Sequence, residues 1–356
     1  MNSMTKSSKL LLCAGALALT FGCIGQTVAA EKTLRVLGWN SGQPQVSELE
    51  APMWKNLEKT TNGSLGASFR ALDELGLKGS EALRTQQSGA FDIVGIQVAF
   101  VSGDDPVFVG TDLPGTAYSL DDVKKINDSY RAVLDKHLQQ AYDSKLLAVW
   151  SFPPQILYCR GDFFHGLADL KGKKVRSQSA AASAAVEALG GSVVSLSGPE
   201  VYQAMRQGVV DCAITGSQYA AANDWQDVAN VVYPLPIGGN GVGVHIMRNA
   251  SWNALSPEQQ HALTAEMSKL EGQLQDMAVS SNQEGLDCNV GKGKCSIGHP
   301  GNMTEVKVSD EEREVMKKVS RDVIFPQWAK SCNKTMPTCA KDWTDTVGKT
   351  VGVTLN

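Results

Sequence analysis

Arg176 is the residue whose type and position most plainly suggest chemistry. The segment around it, residues 167–215, alternates strand-like and helix-like stretches, so that Arg176 ends one strand and a further strand starts at Asp211. Open α/β sheets bind ligands in the crevice at the carboxyl ends of their strands. Because a guanidinium can form paired hydrogen bonds with a carboxylate, this position predicts capture of a small organic acid.

Sequence signatures of catalysis do not stand out. There is no G-x-S-x-G, no H-E-x-x-H and no phosphate-binding loop, and the histidines are scattered, at positions 137, 165, 245, 261 and 299. The glycine-rich run 238–243 does not lie between a strand and a helix, so we interpret it as a crossing loop and not as a dinucleotide site. We therefore expect a binding protein, with no catalytic residue, cofactor or metal.

A sheet has to hold this arginine, and the hydrophobic pattern predicts an α/β fold. Strands are predicted at 33–39, 65–72, 91–96, 146–150, 231–233 and 242–247, besides those of the 167–215 segment. Helices are predicted at 46–60, 81–87, 120–143, 180–189, 310–328 and from Pro199 to about Gly208. A further helix starts at Ser256-Pro257-Glu258 and continues to about Asn282, which is long enough to span two domains.

The first thirty residues have the features of a secretory signal peptide. Lys6 and Lys9 precede an apolar run at 10–21 that is too short to span a bilayer, and Val28-Ala29-Ala30 is a small-residue cleavage site. A lipid-modified Cys23 is disfavoured because no leucine precedes it at the usual place. Removing the leader takes the formal net charge from −4 to −6, which disfavours nucleic acid and anionic membranes as partners. We expect a periplasmic protein.

Six cysteines follow the leader, and an even number in an exported protein indicates disulfides. Spacing favours two pairs that close short polar loops, Cys288–Cys295 and Cys332–Cys339. Cys159 and Cys212 lie on predicted buried strands, where they either pair or remain core thiols. Zinc is disfavoured because the spacings do not match its usual sites.

Two motifs resemble the solute receptors of TRAP (tripartite ATP-independent periplasmic) transporters, family 7 of the extracytoplasmic solute-binding proteins. The stretch L-K-G-K-K-V-R at 170–176 is similar to the family's D-L-K-G-x-K-[IL]-R element. The stretch E-V-Y-Q-A-M-R-Q-G-V-V-D at 200–211 is similar to its E-V-Y-x-A-L-Q-x-G-x-V-D. The resemblance continues at 87–92, 113–114 and 255–258, and so covers nearly all of the mature chain up to the long helix.

The resemblance implies an α/β, two-lobed periplasmic-binding-protein clamshell with a long helix spanning both lobes. Residues 31–153 and 242–281 are expected to form lobe I, and residues 154–241 and 282–356 to form lobe II with the cysteine loops. The resemblance also implies a monomer that works with the membrane permease subunits of a TRAP transporter and carries no enzymatic activity.

The family's ligand-binding arginine matches Arg176, which implies a salt bridge to the ligand carboxylate. The family's other pocket residues lie after the first strand, after the 91–96 strand, at the start of lobe II and after the strand that begins at Asp211. In this sequence the corresponding residues are Trp39, Asn40, Gln97, Phe100, Gln155, Tyr158, Thr215 and Gln218. Further aromatic residues are candidate walls of the pocket: Trp150, Phe152 and Trp225.

Departures from the family pattern restrict the ligand. D-C-A-I-T-G replaces the frequent D-G-Q-E-N-P, so that Thr215 stands in the place of an asparagine. Gly198-Pro199 replaces an aromatic residue, and the second arginine and the acid of sugar-acid receptors are missing near Gln155 and Gln97. We therefore expect a monocarboxylate with an apolar or modestly polar remainder, such as a 2-oxo acid or an aromatic acid.

Two other functions remain open at this stage. The protein could instead deliver its ligand to a receptor kinase as a sensing subunit, and only neighbouring genes would discriminate between sensing and transport. An exported enzyme would need a nucleophile or paired carboxylates in the pocket, and the predicted loops contain neither.

Overall fold

A computed structural model describes residues 30–293 and 295–355, so the predicted signal peptide lies outside the described residues except for Ala30. The strands of this part of the chain are, in order, β1 (Lys32–Gly38), β2 (Leu65–Ala71), β3 (Ile93–Gln97), β4 (Ser144–Ser151), β5 (Ile156–Cys159), β6 (Lys174–Ser177), β7 (Ser192–Ser195), β8 (Cys212–Thr215), β9 (Val231–Tyr233), β10 (Val242–Arg248) and β11 (Thr304–Glu305).

The helices lie between and after these strands. They are α1 (Ala51–Thr60), α2 (Ala82–Ser88), α3 (Val98–Val101), α4 (Leu120–Tyr142), α5 (Ala180–Ala188), α6 (Gly198–Arg206), α7 (Ser217–Ala222), α8 (Asn249–Asn253), α9 (Pro257–Asn289), α10 (Asp310–Val319), α11 (Phe325–Thr335), α12 (Cys339–Trp343) and α13 (Lys349–Val351). None of the described helices is long and apolar enough to cross a membrane.

Two mixed sheets form the centres of two lobes. The sheet of lobe I has the order β2-β1-β3-β10-β4, with β1 parallel to β2 and β3 and with β10 antiparallel to both of its neighbours. The sheet of lobe II has the order β11-β9-β5-β8-β6-β7, with β6 parallel to β7 and β8. The predicted α/β, two-lobed fold is confirmed.

The chain crosses between the lobes at 152–155 and at 234–241, and these two crossing segments are hydrogen-bonded to each other. Phe152 N donates to Gly241 O at 2.6 Å, and Gln155 N donates to Gly239 O at 3.0 Å. Gly239 and Gly241 have positive φ angles of 96° and 64°, which glycine adopts without the strain of a side chain. The interpretation as a crossing loop is thus confirmed for 238–241, whereas Val242 and Gly243 begin β10.

Helix α9 runs behind both lobes. It begins with Ser256, whose hydroxyl accepts from Gln259 N, and its 33 residues give a length of about 50 Å. In lobe I, Val149 N donates to Glu271, and in lobe II, Ser217 Oγ donates to Asn282 O. The helix extends past the predicted end at Asn282 to Asn289 and includes Gly285, where a side chain would collide with the backbone of Ser217 and Gln218.

The segment from α11 to α13 packs against lobe I. Trp328 Nε1 donates to Pro106 O and Trp343 Nε1 donates to Gly110 O, at 2.8 and 2.7 Å. Both indoles are buried between α4 and the turn at 106–111. The expected boundary placed all of 282–356 in lobe II, whereas these contacts place 325–351 with lobe I. The large aromatic side chains account for the difference, because their apolar surface is removed from water there.

Three disulfides connect the six cysteines that lie in the described residues. Cys288–Cys295 and Cys332–Cys339 close the two short loops as predicted. Cys159 and Cys212 also pair, since they lie directly opposite each other on the antiparallel strands β5 and β8. The question that the sequence left open is therefore settled by the strand register.

Candidate ligand-binding site

A cavity of ≈ 980 Å³ lies between the lobes. Both sheets turn the carboxyl ends of parallel strands toward it: β1 and β3 from lobe I, and β6 and β8 from lobe II. Residues at or just after these ends reach the cavity for that reason, as in other open α/β sheets. Eight of the predicted ligand contacts line it: Trp39, Asn40, Gln97, Phe100, Gln155, Arg176, Thr215 and Gln218.

Arg176 is the buried charge of the cavity wall. It lies on β6 between Val194 of β7 and Ala213 of β8, and it is 4% exposed. Its Nε donates to Leu196 O at 3.0 Å, and Nη1 donates to Ile214 O at 2.8 Å. Burial lowers the pKa of Arg176 to about 10, so it stays protonated at neutral pH. None of the carboxylates in the described residues forms an ion pair with it.

Two glutamine side chains connect Arg176 to the crossing segment at 152–155 through hydrogen bonds. Arg176 Nη1 also donates to Gln178 Oε1 at 3.3 Å, and Gln178 Nε2 donates to Gln155 Oε1 at 2.8 Å. Gln155 Nε2 then donates to Pro153 O at 2.8 Å. Because arginine can only donate, the orientation of both amides follows from it. This row of hydrogen bonds links the cavity to the residues between the lobes.

A second pair of glutamines joins the lobes directly. Gln218 begins the first turn of α7, just after Thr215 ends β8, and both side chains are at least nine-tenths buried. Gln45 Nε2 in lobe I donates to Gln218 Oε1 in lobe II at 2.9 Å. This bond leaves the Nε2 donors of Gln218 without an acceptor among the described residues. Gln218 can therefore donate to a bound molecule.

The wall from lobe I is aromatic. Trp39 follows β1 and Phe100 lies in α3, which follows β3; their ring centroids are 5.3 Å apart at an angle of 49°. Leu77 and Ala99 extend this apolar surface, while Asn40 and Gln97 supply amides beside it. Such a surface can pack against a planar or aliphatic molecule and adds no charge of its own.

Three predicted residues do not line the cavity. Tyr158 and Trp225 are fully buried, with ring centroids 5.7 Å apart, in the apolar core of lobe II; Asn289 of α9 donates to the Tyr158 hydroxyl. Their predicted place beside a ligand is thus corrected: the side of β5 that carries Tyr158 faces this core, and Trp225, from the short turn 225–227 after α7, packs against it there. Trp150 packs on Phe152 and donates to His245, whereas Phe152 itself lines the cavity.

Several residues of the wall were missed from the sequence. Gln178 lies two positions after Arg176, and the alternation of side chains along a strand would have placed both on one side. Lys78 and Glu200, both exposed, line the cavity from opposite lobes; no local pattern marks Lys78, whereas Glu200 opens the 200–211 motif and caps α6 together with Ser197. Arg176 is therefore not the only cation of the wall, although it is the buried one. Among the described residues, no cluster of His, Cys, Asp or Glu could hold a metal ion.

Solved structures share this fold along most of their length. A Bordetella pertussis extracytoplasmic solute receptor binding pyroglutamic acid matches with a TM-score of 0.74 and 19% identity, over 87% of this chain and 99% of that one. A Desulfovibrio salexigens TRAP periplasmic solute-binding protein with bound orotic acid matches with a TM-score of 0.75 and 16% identity, over 90% and 99%. A TRAP periplasmic solute-binding protein from Rhodoferax ferrireducens with bound malonate matches with a TM-score of 0.74 and 19% identity, over 90% of this chain and 98% of that one.

A comparison of the sequence with models of protein families identifies the family. No curated protein sequence matches the chain. The model of the bacterial extracellular solute-binding proteins, family 7, matches residues 37–325, which include the whole cavity wall and every strand except most of β1. The resemblance to the TRAP receptors inferred from residues 170–176 and 200–211 is thereby confirmed. The chain belongs to the bacterial extracellular solute-binding proteins of family 7.

Proposed function

We propose that this protein captures a small monocarboxylic acid between its lobes, by a salt bridge to Arg176, and delivers it to the membrane permease of a TRAP transporter. The observation that carries the proposal is a buried guanidinium on the cavity wall without a carboxylate partner among the described residues. Glu200 acts on Arg176 only through space, from an exposed position. A buried charge without a hydrogen-bonded carboxylate is unfavourable, and an anionic ligand would reduce that cost.

The rest of the wall supports a ligand with one carboxylate. The buried wall residues other than Arg176 are uncharged, and they supply amides, hydroxyls and the aromatic pair of Trp39 and Phe100. Pyroglutamic acid and orotic acid, bound by two of the structural relatives, each carry one carboxylate on a ring with amide groups. A compound of this kind would place its carboxylate at Arg176 and its ring against the aromatic wall.

Closure of the lobes completes the proposal. A volume of ≈ 980 Å³ is at the upper end of the range for small-molecule pockets, so a small acid would fill it only after the lobes approach each other. The two crossing segments and α9 connect the lobes and provide the hinge for such a motion. We also propose that residues 1–30 are removed on export and that the mature receptor is a periplasmic monomer. It would bind its ligand without catalysing a reaction.

The experiment is a thermal-shift screen of the mature protein, combined with native mass spectrometry of what co-purifies with it. The panel contains pyroglutamate, orotate, 2-oxo acids, aromatic acids, malonate and galacturonate. Monocarboxylates are expected to raise the melting temperature, and the neutral amide of the best acid should not. If no carboxylate stabilises the protein, or if the amide does so equally, the proposed function is wrong.

A further inference from the structure

The three guanidinium nitrogens of Arg176 differ in how many hydrogen bonds they donate. A guanidinium has five N–H bonds: one on Nε and two on each Nη. Nε donates to Leu196 O, and Nη1 donates to both Ile214 O and Gln178 Oε1. Nη2 has no acceptor among the described residues. A carboxylate that approaches the cavity wall therefore finds one nitrogen of the guanidinium free and the other two in use.

Paired binding of a carboxylate needs N–H groups from two neighbouring nitrogens. One partner is Nη2, and the other has to come from Nε or Nη1. Leu196 O and Ile214 O are backbone acceptors at 3.0 and 2.8 Å, held by the strands of lobe II. Gln178 Oε1, at 3.3 Å, is the most distant of the three acceptors and belongs to a side chain that can rotate. It is the acceptor that a carboxylate oxygen can replace.

Displacement of the Gln178 side chain by a ligand carboxylate would also affect residues beyond Arg176. Gln178 Nε2 donates to Gln155 Oε1, and Gln155 lies in one crossing segment while its backbone bonds to the other, at Gly238 and Gly239. Gln155 Nε2 in turn donates to Pro153 O. When Gln178 rotates away, the amide of Gln155 loses one of its two side-chain hydrogen bonds and keeps the one to Pro153 O. The ligand carboxylate is thus connected to the hinge through two side chains.

We propose that Gln178 is an internal substitute for the ligand carboxylate. In the empty receptor it accepts a hydrogen bond from Nη1 of Arg176, and it yields this place to a carboxylate oxygen when the ligand binds. The exchange removes the hydrogen bond from Gln178 to Gln155 and so changes what holds the Gln155 side chain in the crossing segment. This inference rests on the proposed function, since it requires a carboxylate ligand, but its first test needs no ligand.

The first test compares the ligand-free melting temperatures of two variants. Gln178→Glu offers Arg176 a permanent carboxylate partner, and we expect a melting temperature a few degrees above that of the wild type. Gln178→Met keeps the size of the side chain and removes the acceptor, so we expect a decrease of similar size. If Gln178→Glu is no more stable than Gln178→Met, Gln178 does not hold Arg176 and the inference is overturned.

The second test measures dissociation constants by calorimetry, with the acid that gives the largest thermal shift in the wild type as the probe. Gln178→Glu should bind it at least about tenfold more weakly, because its carboxylate competes for Arg176. Gln178→Met should bind it roughly threefold more tightly, because no acceptor has to be displaced. A role of Gln178 in packing alone would weaken binding in both variants, and that result would overturn the inference.

The charge-matched control is Gln43→Glu. Gln43 lines the cavity from lobe I and makes no side-chain hydrogen bond to Arg176. Gln43→Glu should weaken binding less than Gln178→Glu does. It should not raise the melting temperature of the ligand-free protein. If the wild type responds to no acid at all, the proposed function fails. If the wild type binds an acid and both Gln178 variants bind it equally well, only the inference about Gln178 fails.

Discussion

The two walls of the cavity differ in what they can bind. The wall from lobe II consists of the buried guanidinium of Arg176 with amides and hydroxyls around it, among them Gln178 and Thr215. The wall from lobe I presents the rings of Trp39 and Phe100 and has no buried charge. Lobe II is therefore suited to hold an anion while the receptor is still open, and lobe I is suited to cover the remainder of the molecule.

The difference also shows how one fold can accept different acids. In lobe II the guanidinium is fixed by backbone carbonyls on two neighbouring segments, Leu196 and Ile214, so its direction is determined by the sheet. In lobe I the contacts come from the loop after β1 and the short helix after β3. Loops and short helices vary more readily than sheet geometry. We infer that the anion clamp belongs to lobe II and that the shape preference belongs to lobe I.

Arg176→Gln gives the largest effect that this comparison predicts. The substitution removes the charge and keeps a hydrogen-bonding side chain. We expect binding of the best acid to weaken about a hundredfold or more, because truncating one partner of a buried charge pair costs about 2–5 kcal/mol or more. The preference for the acid over its neutral amide should disappear at the same time. Calorimetric titration with both compounds measures the two effects.

Lys78→Gln is the matched control for Arg176→Gln. It removes a cation that lines the same cavity from lobe I but is exposed. Exposed charges contribute little and are screened by salt, so binding should change by no more than about threefold, and less at high salt. If both variants lost the same amount of affinity, the anion would be held from both lobes. That result would contradict the assignment of anion binding to lobe II alone.

The sequence predicts Arg176 better than its neighbours for a physical reason. A guanidinium at the end of a buried strand has few places to point except a crevice, and the 170–176 motif adds the family's pattern. Tyr158 and Trp225 could not be placed in this way. All positions of β5 are buried, so the sequence pattern does not tell whether the side of the strand that carries Tyr158 faces the cavity or the helices. Trp225 lies in a short turn after α7, and no strand pattern predicts which way it packs. The order of strands and helices needed only local periodicity, and it was largely correct.

Contacts between distant segments were harder to predict. The packing of α11 and α12 against lobe I depends on where Trp328 and Trp343 find an apolar partner, which no local pattern specifies. The bridge from Gln45 to Gln218 joins residues 173 positions apart. Gln178 is the exception, since its spacing from Arg176 was sufficient to place it on the wall. Side chains that lie close together only after folding are therefore the main part of the site that the sequence did not reveal.

Asp112→Asn tests the carboxylate that holds a crossing segment between the two walls. The Asp112 carboxylate lies in lobe I and accepts from Asn240 N at 2.5 Å and Gly241 N at 2.8 Å. Burial raises the pKa of Asp112 to about 7, against the lowering effect of these bonds. Between pH 4 and 7 the folded protein therefore binds more protons here than the unfolded chain, whose carboxyl has an ordinary pKa of about 3.9. The contribution of Asp112 to stability is complete below about pH 4 and is lost as the pH rises to about 7.

We expect the free energy of unfolding of the wild type to fall by about 2–3 kcal/mol relative to Asp112→Asn from pH 5 to pH 8. Urea unfolding of both proteins at the two pH values measures this difference. Asp92→Asn is the control. Burial opposes its ionisation, but hydrogen bonds from Arg35 and Ser251 lower the pKa of Asp92 to about 2, so its contribution is lost only below about pH 4. A pH-independent difference for Asp112→Asn would mean that this carboxyl does not titrate at the hinge.

Phe100→Leu gives the smallest effect and tests the aromatic wall. Phe100 is partly buried and packs against Trp39, so leucine retains an apolar contact but loses ring area that could meet the ligand. We expect binding to weaken about fivefold, or roughly 1 kcal/mol, with the preference for acid over amide unchanged. Phe163→Leu, a partly buried ring outside the cavity wall, is the control and should leave affinity unaltered. If Phe100→Leu reduces the preference for the acid as Arg176→Gln does, lobe I also contributes to holding the anion, because a wall that only packs against the ligand treats the acid and its amide alike.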